Sequence, residues 1–119
     1  MLKRVLIVDD SKFSRKNTIM ILETLEYEII GEAVDGLDGF EKYKELNPDI
    51  VITDLEMPKL DGVGMIKEIK RYDADAKILV ISSIVNSQVI QEVVALQAIV
   101  IHKPIKEHRL INAMKLLSR

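Results

Sequence analysis

Four short runs constrain this chain more than anything else in it: VLIV over 5–8, IVIT over 50–53, ILVI over 78–81 and IVI over 99–101. Each is apolar and mostly β-branched, and none alternates with polar residues. A run of that kind is buried on both faces, as strands inside a parallel sheet are. A fifth segment, EIIGEAV over 28–34, is more polar and is interrupted by Gly31, which suits an edge strand.

Parallel neighbours need long crossovers, and the segments between the runs supply them. Residues 12–26 carry Phe13, Met20, Ile21 and Leu25, and residues 36–46 carry Phe40, Tyr43 and Leu46 at spacings of three. Val63, Ile66 and Ile69 repeat that spacing. Val89, Ile90, Val93 and Val94 follow, and Leu110, Ile111, Met114 and Leu117 form the last stripe. These are amphipathic helices whose apolar faces are expected on the sheet. Five β-α units with right-handed crossovers make an α/β protein: a doubly wound parallel sheet of five strands, covered on both faces as a three-layer sandwich. The 119 residues fit one domain, and no linker, repeat or low-complexity stretch divides them. The expectation is a single domain over 1–119 with no output domain.

Composition excludes several classes. A net charge of −2 gives nucleic acid no general basic field to bind. With no cysteine there is neither a disulfide framework nor thiolate chemistry. The start, MLKRVLIVDD, imitates a secretory signal, but Asp9-Asp10 ends the apolar run too early for a signal core. No run reaches membrane-spanning length. A cytoplasmic protein without a membrane span is expected.

In an open parallel sheet, ligands bind beyond the carboxyl ends of the strands, near the switch in strand order. Asp9, Asp10 and Ser11 follow the first strand, Asp54 and then Glu56 the third, Ser82 and Ser83 the fourth, and His102, Lys103 and Pro104 the fifth. The second strand ends in Val34-Asp35. Three clustered acids raise one another's pKa, and a hard cation relieves that. Mg²⁺ suits carboxylates, waters and a phosphate oxygen, with Mn²⁺ as the other candidate. Lys103 offers a point charge to a phosphate, and Ser82 a hydroxyl donor. Taken singly, each residue has a plainer role. Asp10 or Ser11 caps a helix, the serines fill a loop, and Met57-Pro58 and Lys103-Pro104 make turns. Taken together, four strands end in groups that complete one metal–phosphoryl site, and the joint reading outweighs coincidence.

LIVDDS (6–11), DLEMPKLDG (54–62), VISS (80–83) and HKPI (102–105) resemble the motifs of the receiver domains of two-component response regulators, most of all the single-domain, CheY-like chemotaxis type. The resemblance covers the whole chain, and the set of motifs at these spacings is highly specific. It implies a flavodoxin-like fold with strand order 2-1-3-4-5 and Asp54 as phosphoacceptor. It also implies Mg²⁺ held by Asp9, Asp10, the Asp54 side chain and the Glu56 backbone carbonyl. Ser82 becomes the hydroxyl switch, Lys103 the partner of the phosphoryl group, and Lys103–Pro104 a cis peptide. The implied partners are a sensor histidine kinase as donor and a downstream protein target. The target docks on the face made by the fourth helix, the fifth strand and the fifth helix.

The pattern also departs from the family. The segment ALQAIVIHKPI (95–105) lacks the usual glycine turn, and Val100 stands where an aromatic switch is expected. Output must then run through Ser82, Ser83, Ile84 and Val100 in another way. Glu56 and Ile84 lie two places beyond the acceptor and the switch serine, and Glu56 either faces the phosphoryl group or points into solvent. Ile84, Val85, Ile99, Val100, Ile101 and Ile105 form an apolar face, mostly core, whose exposed part is a partner or dimer surface for a monomer or weak dimer. Two rival readings are a Mg²⁺-dependent aspartyl-nucleophile phosphatase of the haloacid-dehalogenase type and a scaffold receiver that is not phosphorylated. The first places its acid pair after the first strand, and the intact acid–serine–lysine set argues against the second. A flavin or nucleotide carrier fails because Asp9-Asp10 repels phosphate where a cradle is needed.

Overall fold

The computed structural model describes residues 2–119. The chain runs β1 (Lys3–Val8), α1 (Lys12–Glu23), β2 (Tyr27–Ala33), α2 (Gly36–Leu46), β3 (Ile50–Thr53), α3 (Gly62–Tyr72), β4 (Ile78–Ser82), α4 (Ser87–Ala95), β5 (Ile99–His102) and α5 (Glu107–Leu117). All pairings are parallel, and the strand order is β2-β1-β3-β4-β5. This is the doubly wound, flavodoxin-like arrangement. Its switch point falls between β1 and β3, because the chain builds outward from β1 in opposite directions.

The lack of alternation in the strands has a direct cause: both faces of the sheet are covered. Leu6, Val8, Val51, Ile78 and Val80 pack with Tyr43, Met65, Ile66, Ile69 and Val93 from α2, α3 and α4. Val5, Ile7, Ile50, Ile52, Leu79 and Ile81 pack with Leu22, Leu110, Met114 and Leu117 from α1 and α5. Full burial of each such side chain stabilises the fold by about 1.5–3 kcal/mol relative to exposure. β2 is indeed an edge strand. It carries a bulge, since Val5 pairs with Ile29 and Leu6 with Gly31.

Four helices start on short polar caps. Ser11, Asp35, Asp61 and Asn86 each accept a hydrogen bond from a first-turn amide of α1, α2, α3 and α4. α2 ends on Asn47 in the left-handed conformation (φ 50°), and the Arg4 guanidinium donates to the Leu46 and Asn47 carbonyls. At the edge of the sheet where the strands begin, the Tyr27 and Ser118 hydroxyls lie 3.1 Å apart, and Lys3 lines the same depression. No helix among the described residues is long and apolar enough to cross a membrane.

Two expectations fail on α1. The helix stops at Glu23 rather than 26, where the last turn tightens: the Thr24 and Leu25 amides donate to the Ile21 and Leu22 carbonyls, three residues back, at 3.3 and 3.0 Å. Phe13 and Met20 do not face the sheet; they are 82% and 68% exposed. Thr18 and Leu22, one helical turn apart, form the inward face, and positions 13 and 20 fall on the far side of the helix. On α4, Val93 is buried while Val94 points outward. β2 is shifted one residue from its expected span, to Tyr27–Ala33.

Candidate functional site

Asp9 and Asp54 sit just past the ends of β1 and β3, which flank the switch point. The Asp54 amide donates to the Val8 carbonyl at 3.1 Å, so the two strand ends are laced together directly below both acids. Asp54 Oδ1 accepts the Leu55 amide at 2.7 Å, while its Oδ2 meets Lys103 Nζ at 2.9 Å. Asp9 Oδ1 accepts the Ser11 amide at 2.9 Å, and its Oδ2 lies 3.6 Å from the same Nζ. Lys103 therefore reaches from the end of β5 and seats its ammonium between two carboxylates. Its own amide is held by the Ser82 carbonyl at 3.0 Å, and the Lys103–Pro104 peptide is cis.

Burial raises the Asp9 pKa above its ordinary value, and the charges of Asp54 and Asp10 add to the effect. The Ser11 amide and Lys103 oppose it. For Lys103, burial favours the neutral amine, but the hydrogen bond and charge of Asp54, with help from Asp9, outweigh it and raise its pKa. The site thus holds one firm cation against an excess of acid. Asp10 is exposed and makes no ion pair among the described residues, although it is near enough to act on Asp9. Among the described residues, no three acids or histidines are gathered into a ready-made cage for a metal. The donor set still fits Mg²⁺, which uses one or two carboxylates and keeps its remaining positions for water and phosphate oxygens. Asp9, raised by burial and neighbouring acids, is the kind of ligand a cation relieves.

Ser82 ends β4 fully buried, and its Oγ accepts the Ile84 amide at 3.0 Å. Ser83 is exposed. Glu56 is exposed, so its carboxylate faces solvent, and its amide approaches Asp54 Oδ1 only at 3.5 Å. Ile84 and Val100 are half-buried and pack on the α2–α3–α4 side of the core. Ile101 is buried, and Val85 is 84% exposed. Beside the acids lies a cleft of about 140 Å³, lined by Ile7, Ile52, Ile81, Pro104 and Ile105, with Phe13 at its wall.

The sequence alone did not single out Arg15. Its side chain is 11% exposed; Nη1 donates to the Asp9 carbonyl at 2.7 Å and Nε to Glu32 at 2.9 Å. A signal existed: a cation in the first turns of a helix opposes the helix dipole and needs another reason to be there. Gly36 and Gly62 hold the neighbouring loop. The Gly36 amide donates to the Leu60 carbonyl and the Gly62 amide to the Leu55 carbonyl, both at 2.9 Å, which fastens the loop between β3 and α3 from both sides.

Residues 5–115 match the response regulator receiver domain family. The chain is 42% identical to the chemotaxis protein CheY of Thermotoga maritima over 118 residues, 98% of each chain. It is 40% identical to CheY of Bacillus subtilis over 96% of each. Among solved structures, a chain of the CheX-CheY-BeF3-Mg+2 complex from Borrelia burgdorferi superposes with a TM-score of 0.93 at 32% identity, covering 98% of this chain and 90% of that one. The response regulator domain of Thermotoga maritima CheB gives 0.88 at 28% identity, covering 100% and 98%.

Proposed function

The chain belongs to the response regulator receiver domain family, and on that premise we propose that it accepts a phosphoryl group on Asp54 and signals by changing what it binds. As a receiver it is a response regulator of a two-component system. The observation that carries the chemical reading is the Lys103 ammonium held between Asp54 at 2.9 Å and Asp9 at 3.6 Å, at the switch point of the sheet.

The donor is a phosphohistidine of a sensor kinase. An Asp54 oxygen attacks phosphorus, the P–N bond breaks and the P–O bond forms, and the imidazole leaves with a proton from solvent. A carboxylate approaching a phosphoryl dianion faces repulsion, and Lys103 lowers it at the acceptor oxygen. The Leu55 amide orients the other Asp54 oxygen. Asp9, Asp10, Asp54 and the Glu56 carbonyl would hold Mg²⁺ or Mn²⁺, which when bound neutralises phosphoryl charge. Ser82 donates its hydroxyl to a phosphoryl oxygen, and the Ile84 amide, already bonded to that hydroxyl, follows it. The signal then runs through the loop 83–86 into α4 rather than through a ring at Val100, which is stiff at its first torsion. The target docks on the α4–β5–α5 face, where Val94 of α4 is exposed. We place the protein in the cytoplasm as a single-domain regulator of chemotaxis type, monomeric or weakly dimeric, in keeping with relatives it matches along 96–98% of their length.

Incubation with Mg²⁺ and a small acyl phosphate should add the mass of one phosphoryl group, and Asp54→Asn should abolish the gain. Equal labelling of that variant would move the acceptor elsewhere.

A further inference from the structure

We propose that Arg15 is a positioning residue for the acid pair Asp9-Asp10, because its guanidinium grips the one peptide plane from which both acids emerge. This rests on the reading of that pair as cation ligands. The Asp9 carbonyl and the Asp10 amide belong to a single planar unit whose two ends are the Asp9 and Asp10 Cα atoms. Arg15 Nη1 donates to that carbonyl at 2.7 Å, so it sets the tilt of the plane and with it the direction in which both side chains leave the backbone.

Every other hydrogen-bonding group of Asp9 is already tied to a neighbour. Its amide donates to Ala33 at 3.0 Å, Oδ1 accepts the Ser11 amide and Oδ2 faces Lys103. Arg15 is the contact that carries this restraint past Asp9 to Asp10, which has no ion pair of its own among the described residues. The guanidinium is anchored in turn. Nε is bonded to Glu32 on β2 at 2.9 Å, and the side chain is nearly buried, so the fork is held from behind while it holds the plane. Its helix places it well, since the Arg15 amide donates to the carbonyl of Ser11, the residue that caps α1 and pins Asp9 Oδ1. Groups that orient ligands in this way typically set metal affinity within a factor of about 10–100.

The test is an NMR titration of Mg²⁺ into wild type, Arg15→Met, Arg15→Lys and Glu32→Gln, read from amide shifts below the melting temperature, with thermal unfolding measured without cation. Arg15→Met keeps the bulk and removes the donors; its Mg²⁺ dissociation constant should rise by roughly tenfold. Arg15→Lys keeps charge and stem but cannot serve both acceptors, so it should lose affinity severalfold even if Arg15→Met does not fold. Glu32→Gln retains the bond to Asp9 and should bind within about twofold of wild type, whatever its melting temperature. Wild-type or tighter affinity in the arginine variants overturns the proposal, as does an equal loss in Glu32→Gln, which would assign the effect to the tie between α1 and β2 rather than to the bond with the Asp9 carbonyl. Wild type that binds no Mg²⁺ overturns the cation-site reading as well.

Discussion

Replacing Gly62 with alanine tests how closely the backbone below Asp54 is packed. A β-carbon at Gly62 would stand 2.3 Å from the Asp54 carbonyl oxygen and 2.6 Å from Leu55 Cα. Close carbon–oxygen contacts in folded proteins lie near 3.3 Å, so about 1 Å of movement is needed. No rotamer can provide it, since both neighbours are main chain. The cause is contact and not dihedral strain, because no glycine here has positive φ. Overpacking costs about 1–3 kcal/mol, with the upper end apt for two backbone contacts. Alanine's better helix propensity returns at most about 1 kcal/mol at this first helical position. We expect a net loss of about 2 kcal/mol in urea unfolding followed by circular dichroism. A shift of about 1 Å at Asp54 should also slow acyl-phosphate labelling by up to about a hundredfold, read by intact mass. Gly64→Ala is the control. Its β-carbon would meet side-chain atoms of Leu60 and Asp61, with Leu60 Cδ1 nearest at 2.6 Å, and that methyl can turn away. It should be neutral or slightly stabilising. Gly62→Ala with wild-type stability and labelling, or Gly64→Ala with equal damage, refutes the argument.

Tyr43 is buried, and its hydroxyl donates to Asp73 at 2.6 Å. Tyr43→Phe should cost about 1–2 kcal/mol at neutral pH by urea unfolding. Burial and Asp73 raise the phenol's folded pKa above 10.0, so the folded state keeps a proton the unfolded state releases. Wild type should therefore lose stability as pH rises beyond that value, and the variant should lose less of it. Asp9→Asn retains an acceptor for the Ser11 amide and removes a carboxylate whose pKa is raised from 3.8 in the fold, first by burial. Wild-type stability falls as pH climbs from 3.8 through the folded value, so without divalent cation the variant should be the more stable at neutral pH, with the gain gone below pH 3.8. Lys103→Ala should keep the fold by circular dichroism and lose the amide shifts that beryllofluoride induces in wild type at 82–95; unchanged shifts would remove Lys103 from the switch.

Pattern reading reached the sheet because burial on both faces leaves a signal within four or five adjacent residues. It reached the Asp54–Lys103 pair, 49 positions apart, only through the rule that parallel strand ends share an edge. On α1 apolar identity misleads, because Phe13 and Met20 lie on the side of the helix opposite Thr18 and Leu22, which face the sheet. Arg15 escaped because its partners belong to two different parts of the chain, Asp9 just past β1 and Glu32 on β2, and no periodicity within one element reports such a bridge. The close approaches at Gly36 and Gly62 escaped for a related reason: the atoms that exclude a β-carbon there belong to the 54–60 loop, which is not regular structure.

The Tyr27–Ser118 contact has a practical consequence for handling the molecule. Lys3, at the start of β1, lines the same depression as Ser118, just past α5, so the two ends of the described chain share the edge opposite the acids. The six residues of β1 span about 20 Å from that edge to Asp9. An affinity tag, a dye or a biosensor tether joined at either end would attach on the far side of the sheet. A protein immobilised this way keeps the edge that carries Asp54 facing the solution, free to meet whatever binds there.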